Sequence, residues 1–308
     1  MLEIYKTVDD TLTEIPTFEE GIWLNMVNPT PEEITLVEEK LAVNPDFIRV
    51  ALDDDERAHT EREDDQTLII VDTPFWDTER KMYSTMPLAI IITPQAFLTV
   101  CLREATVLND FTKTKVKHFY TQYKARFVLQ ILYRNATKFL QSLRTIDKLS
   151  NQVERELHVS MRNKELIDML ALEKSLVFFS TALRSNEMLL EKLLKYKYIT
   201  NYQDDRDLLE DVIIENKQAM EMCNIYSSIL SGTMDAFASV ISNNLNIVMK
   251  ILTSITLVMA IPNIVFGLFG MNVVLPFTES PYGLLIILAG TVVLCCLVAY
   301  ILKRKDLF

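Results

Sequence analysis

The chain has 308 residues, 49% of them hydrophobic and 24% charged, with a net charge of −11 and a mean hydropathy of +0.15. The averages hide a segregation: positions 251–302 contain one charged residue, Glu279, and with Glu279, Lys303, Arg304, Lys305 and Asp306 set apart the first 250 residues carry −12. This excludes a uniform soluble globule; the acidity argues against a nucleic-acid binder, and 6 Gly and 10 Pro among plentiful apolar residues argue against collagen-like and disordered classes.

In chain order, Met1-Leu2-Glu3 begins a segment with no basic stretch leading into an apolar run, so no cleaved signal is expected. Residues 1–102 read as mixed α/β, with strands at 2–8, 21–27, 66–72, 82–92 and 96–102 rich in β-branched and aromatic residues. Thr30-Pro31-Glu32-Glu33 opens a helix with an N-cap, a proline at N1 and acids in the first turn. From Gln95 to Ser231 there is neither Gly nor Pro. Beyond the last strand this predicts helices with short breaks near Asn109 and around Tyr198–Asp204. A final helix starts near Asp205, with apolar Leu209, Val212, Ala219, Cys223, Tyr226, Leu230, Phe237, Val240 and Ile247 at 3/4 spacing and no proline before Pro262. Run to position 270, it reaches ~100 Å and needs its own domain or further copies to pack on.

Residues 251–270 and 284–302 are uncharged and long enough, at ~1.5 Å per residue, to cross a ~30 Å hydrocarbon core. Lys250 precedes the first span, Lys303-Arg304-Lys305 follows the second, and the connector lacks Lys and Arg, so both termini are expected in the cytoplasm. The fold class is therefore α+β. A cytoplasmic α/β and helical domain fills 1–204 and a stalk helix 205–250. They lead into a first span 251–270, an outer loop 271–283, a second span 284–302 and a basic tail 303–308. Cys101, Cys223, Cys295 and Cys296 lack zinc or redox spacing and read as reduced packing residues; dispersed His59, His118 and His158 form no zinc pattern.

Two spans cannot enclose water, so transport requires several copies around an axis. One face of the first span suits that axis: Asn246, Met249, Thr253, Thr256, Ala260, Asn263, Gly267 and Gly270 alternate at 3 and 4 and are small or polar except Met249. The plainer alternative is that small residues let helices approach closely and threonines bond back to their own helix. The stripe runs on to Gly270-Met271-Asn272, beyond which lies the acid Glu279, either a collector of cations at an outer mouth or a solvated loop charge.

Gly270-Met271-Asn272 at the end of the penultimate span, with a second span ending in basic residues and an acidic α/β domain ahead, resembles the CorA family of magnesium channels and transporters. The resemblance implies a homopentamer in the cell membrane, carrying Mg2+ with no nucleotide or organic cofactor. Its partners would be divalent cations, the lipid bilayer and further copies of itself, with no nucleic acid. It makes Asn272 a selectivity ring and lines the pore with Asn246, Met249, Leu252, Thr256, Ala260, Asn263 and Gly267. Met249 and Leu252 would form a hydrophobic constriction. Phe269 stands where relatives often have Tyr, and Ala260 where they often have Met. Closure would follow Mg2+ binding at acids between cytoplasmic domains. Asp211 matches one family ligand; its usual partner position holds Ile48-Arg49-Val50, leaving Asp53, Asp54 and Asp55 as stand-ins. Rival readings are the same fold carrying Co2+, Ni2+ or Zn2+, or a membrane-anchored interaction protein without a pore. No nucleophile, base or paired-carboxylate motif suggests an enzyme.

Overall fold

The structure, a computed structural model, describes residues 1–113, 116, 119–160, 163–196, 199, 202–271 and 282–305, the side chains of 158–160 and 163 excepted. The chain divides into two compact units, Met1–Thr233 and Met234–Phe308.

In the first unit the described residues form a seven-stranded sheet in the order β2-β1-β3-β7-β6-β5-β4. The strands are β1 (Leu2–Val8), β2 (Thr11–Glu14), β3 (Ile22–Val27), β4 (His59–Glu63), β5 (Gln66–Asp77), β6 (Met82–Ile92) and β7 (Ala96–Cys101). β3 and β7 are parallel; all other neighbours are antiparallel. Side chains alternate across the sheet. Leu24, Leu68 and Ile70 pack with Val37 and Leu41 of α1 (Pro31–Leu41) and Phe47 and Ile48 of α2 (Pro45–Ala51). Trp23, Ile69 and Val71 share the opposite core with Phe127 and Leu132 of α4 (Lys124–Ser160) and Leu190 and Leu193 of α5 (Asn163–Lys195).

Thr30 caps α1 as its sequence predicts: its hydroxyl accepts from the Glu33 amide at 3.3 Å while the Glu33 carboxylate accepts from the Thr30 amide at 2.9 Å. α2, which the strand and helix patterns above do not include, starts the same way, with Asn44 accepting from the Asp46 amide and Pro45 at N1. Segment 102–123 departs from expectation. It is helical among its described residues only at α3 (Asn109–Thr112), where a break was expected, because Val107, Leu108, Phe111 and Phe119 instead fill the core around Trp23 and Phe127.

α6 (Gln203–Phe269) is a single 67-residue helix. Within the first unit it buries Asp205, Leu209, Val212, Asn216, Ala219, Cys223 and Leu230. Asn216 Nδ2 donates to Leu183 O at 3.0 Å and Cys223 Sγ lies 3.2 Å from Leu176 O, so this stretch packs on α5 of its own domain.

β5 is pinned to the helices at Asp72. The pairing with β4 ends at His59 and Ile70, leaving the next outward backbone groups without a strand. Buried Asn186 takes that place: its Oδ1 accepts from the Asp72 amide at 2.9 Å and its Nδ2 donates to Asp72 O at 2.9 Å. Asn135 Nδ2 donates to the same carbonyl at 2.7 Å. Burial pushes the half-buried Asp72 carboxyl up to about 7, with the Arg57 charge pulling the other way. From about pH 4 to 7 the folded state keeps a proton that the unfolded chain has lost, so ionisation of Asp72 lowers stability as pH rises through that window. Asp72→Asn removes this loss. Its thermal midpoint in detergent should match the parent near pH 4 and lie above it at pH 8, where the gain in unfolding free energy is on the order of 2–4 kcal/mol.

Candidate ion pathway

The second unit contains the remainder of α6 and α7 (Gly283–Arg304), and both helices contain windows long and apolar enough to cross a membrane. Only 6% of each window is buried within the chain, which a core helix of a soluble protein would not show.

Burial divides α6 into two faces. Ser254, Val258, Ile261, Val265 and Phe269 are buried or half-buried, and on α7 the matching row is Gly283, Ile287, Thr291, Cys295, Val298 and Leu302. Ser254 is 2% exposed and Thr291 6%, so each helix places a small hydroxyl residue in a contact side. The stripe Asn246, Met249, Thr253, Thr256, Ala260, Asn263, Gly267 and Gly270 is exposed throughout except for half-buried Ala260. At ~100° per residue it lies about half a turn round from the packed row. Leu252 sits at its edge, and Met249 and Leu252 are 53% and 57% exposed. The face expected to line a pore is thus the one that α7 leaves uncovered.

Its polar groups are suited to a hydrated cation. Thr256 Oγ1 donates to Leu252 O at 2.8 Å, spending its hydrogen on its own helix and leaving oxygen lone pairs for a donor such as ion-bound water. At the inner end a groove of about 440 Å3 is lined by Asn243, Asn246, Met249, Lys250, Thr253 and Ser254, with Leu257 and Leu302. Asn243 lies about one turn before Asn246 but outside the 3/4 alternation of the stripe, so periodicity does not mark it.

The outer end is shaped by Gly270. Its amide donates to Phe266 O at 2.9 Å, and a Cβ at this position would come within 3.1 Å of that same carbonyl. Met271 follows, exposed; Asn272 and Glu279 lie outside the described residues.

The expected sensor acids do not gather within one chain. Asp54 pairs with Arg103 at 3.1 Å, whose guanidinium also lies 5.1 Å from the Phe75 ring centre. Asp53 Oδ1 accepts from the Asp55 amide at 3.0 Å, and Asp211 is on the exposed side of α6 between buried Leu209 and Val212. Among the described residues, no three His, Cys, Asp or Glu side chains come together as a metal site. His59 Nδ1 lies 2.9 Å from Arg57 O, and His118 is outside the described residues.

An α/β unit followed by a long helix whose end, together with one further helix, is apolar enough to cross a membrane is an architecture known from solved structures. The structure of CorA from Methanocaldococcus jannaschii superposes with a TM-score of 0.85 at 24% identity, covering 99% of this chain and 98% of that one. Full-length CmaX superposes with a TM-score of 0.72 at 15% identity, covering 98% and 96%. In sequence, the protein named cobalt/magnesium transport protein CorA from M. jannaschii is 28% identical over 306 residues, 97% of this chain and 95% of that one. The family described as CorA-like Mg2+ transporter protein matches residues 18–304, and the chain belongs to it. That is a family of transporters, not of enzymes.

Gly270→Ala is expected to lower cation uptake into vesicles at least tenfold, because the added methyl presses on Phe266 O. Gly267→Ala, whose Cβ meets nothing within 4 Å, should retain more than half of the uptake.

Proposed function

We propose that the protein is a homopentameric channel for Mg2+ uptake in the cell membrane, with both termini in the cytoplasm. The observation that carries this reading is the position of the polar stripe of α6, on the side away from α7, where copies arranged around an axis would turn it inward. Family membership supports divalent cation transport as the activity. The name of the M. jannaschii relative couples cobalt with magnesium, which makes Co2+ the first competing cargo to test.

Mg2+ gives up its water slowly, so a filter works best on the hydrated ion. A ring of neutral Asn272 amide oxygens accepts hydrogen bonds from that shell without stripping it, whereas carboxylates would hold the ion too long for passage. Gly270 lets the backbone turn and Met271 packs to set the ring. Asn263, Thr256 and Asn246 continue the polar track. Met249 and Leu252 close it by dewetting, and Glu279 gathers cations outside. A divalent ion falling through the membrane potential gains about 4.6 kcal/mol per 100 mV, enough to drive uptake without nucleotide.

Gating by cytoplasmic Mg2+ assigns Asp211 to a site completed by a neighbouring subunit, with Asp53, Asp54 or Asp55 across the interface. Binding would bridge domains that otherwise repel, the first 250 residues carrying −12.

Uptake of Mg2+ into vesicles holding the full chain tests the filter and the constriction separately. Asn272→Ala should reduce uptake at least tenfold; unchanged uptake removes Asn272 from the filter. Met249→Asn with Leu252→Asn should wet the constriction and raise uptake severalfold at Mg2+ concentrations that close the parent, whereas no change would place the gate elsewhere.

A further inference from the structure

Pro262 sits inside α6, within the apolar stretch, on the side that meets α7. Proline has no amide hydrogen, so the carbonyl of Val258, four residues earlier, loses the donor that a regular helix would supply. Water would satisfy such a carbonyl in solution. Hydrocarbon does not, and a freed carbonyl in a span is kept only where a neighbouring group serves it.

The second helix brings such a group. Cys295 Sγ on α7 lies 3.9 Å from Val258 O, and Cys295 is half-buried in the row that packs on α6. The nearby hydroxyl of Thr291, one turn away on α7, donates to Ile287 O at 2.7 Å, and Thr256 on α6 donates to Leu252 O at 2.8 Å. The thiol is the side-chain donor recorded at Val258 O. A thiol is a weak donor and this contact is long, so it holds the helix while letting it flex.

The position gives the contact a consequence for transport. Val258 and Pro262 bracket half-buried Ala260, and exposed Asn263 follows Pro262, both members of the stripe. Any change of bend at Pro262 swings the stretch from Asn263 to Gly270 relative to the stretch from Asn246 to Thr256. We propose that Cys295 is a positioning residue of the pore: its thiol takes the carbonyl freed by Pro262 and thereby lets the second span set the bend of the first. This rests on the reading of α6 as the pore-lining helix.

The test uses the full chain in vesicles with four variants, Cys295→Ala, Cys295→Ser, Pro262→Ala and the double variant Pro262→Ala/Cys295→Ala, beside Asn272→Ala. Two readouts are taken: the initial rate of Mg2+ uptake, and the infrared S–H stretch of Cys295, isolated by subtracting the Cys295→Ala spectrum. The S–H band should lie at the lower frequency of a bonded thiol. Cys295→Ala should slow uptake at least threefold, and Cys295→Ser, which keeps a donor, should stay within twofold of the parent. In the Pro262→Ala background, where the helix supplies its own amide hydrogen, Cys295→Ala should change uptake by less than 1.5-fold. A free-thiol frequency overturns the proposal. So does parent-like uptake in Cys295→Ala, or an equal effect of that change in both backgrounds. If Pro262→Ala does not assemble, the Ala and Ser variants and the S–H band decide. Failure of Asn272→Ala to alter uptake speaks against the pore reading instead, and leaves the S–H band to judge the contact.

Discussion

Hydrocarbon supplies no hydrogen-bond partner, and this constraint organises the second unit of the chain. Every polar group that α6 brings into the membrane window must be turned to its own helix, to α7 or to water. Thr256 takes the first course by bonding back one turn, as Thr291 does on α7, and Val258 O takes the second through Cys295. The amide of Asn263 does neither; it is on the exposed stripe, and a primary amide facing lipid would be costly. In the proposed pentamer an aqueous axis shared by the copies would resolve that conflict. The same axis would account for the recurrence of small Ala260, Gly267 and Gly270 on that face while Ile255, Ile264, Phe266 and Leu268 lie elsewhere on the helix.

The first unit obeys a different economy, in which water is available outside and the core is dense inside. Its sheet is covered on both faces, and the long helices are tied to it by buried amides instead of by apolar contact alone. Asn186 and Asn135 finish the edge of β5, Asn216 ties α6 to α5, and Lys138 meets Asp110 at 2.9 Å in a largely buried pair. Such contacts are directional and costly to half-break, so they fix the register of helix on sheet.

Much of this was legible in the amino-acid sequence because the strongest signals are regional. Segregated charge marked the two apolar C-terminal helices, absence of Gly and Pro marked the long helices, and the 3/4 pattern gave the side of α6 that packs on its domain from Leu209 to Leu230, while Val240 and Ile247 of the same pattern are exposed. The misses have local causes. β4 reads His-Thr-Glu-Arg-Glu because it is an edge strand exposed to water, where charge guards against further pairing and erases the apolar alternation. β5 continues past the predicted end at residue 72 through Pro74 to Asp77, since beyond Ile70 it has no β4 partner and the missing amide faces that open edge. Segment 102–123 has helix-compatible composition but is drawn into the aromatic core, an override that no window of sequence displays. At the site itself the stripe could be found by periodicity, whereas the Cys295 contact joins residues 37 positions apart and could not.

The central claim is that the exposed stripe of α6 faces a shared axis, and the number of chains in the assembled particle bears on it most directly. Mass measurement of the full chain in detergent, with the bound detergent subtracted, should give five copies. One or two copies could not surround a water path with this stripe, and that result would contradict the account.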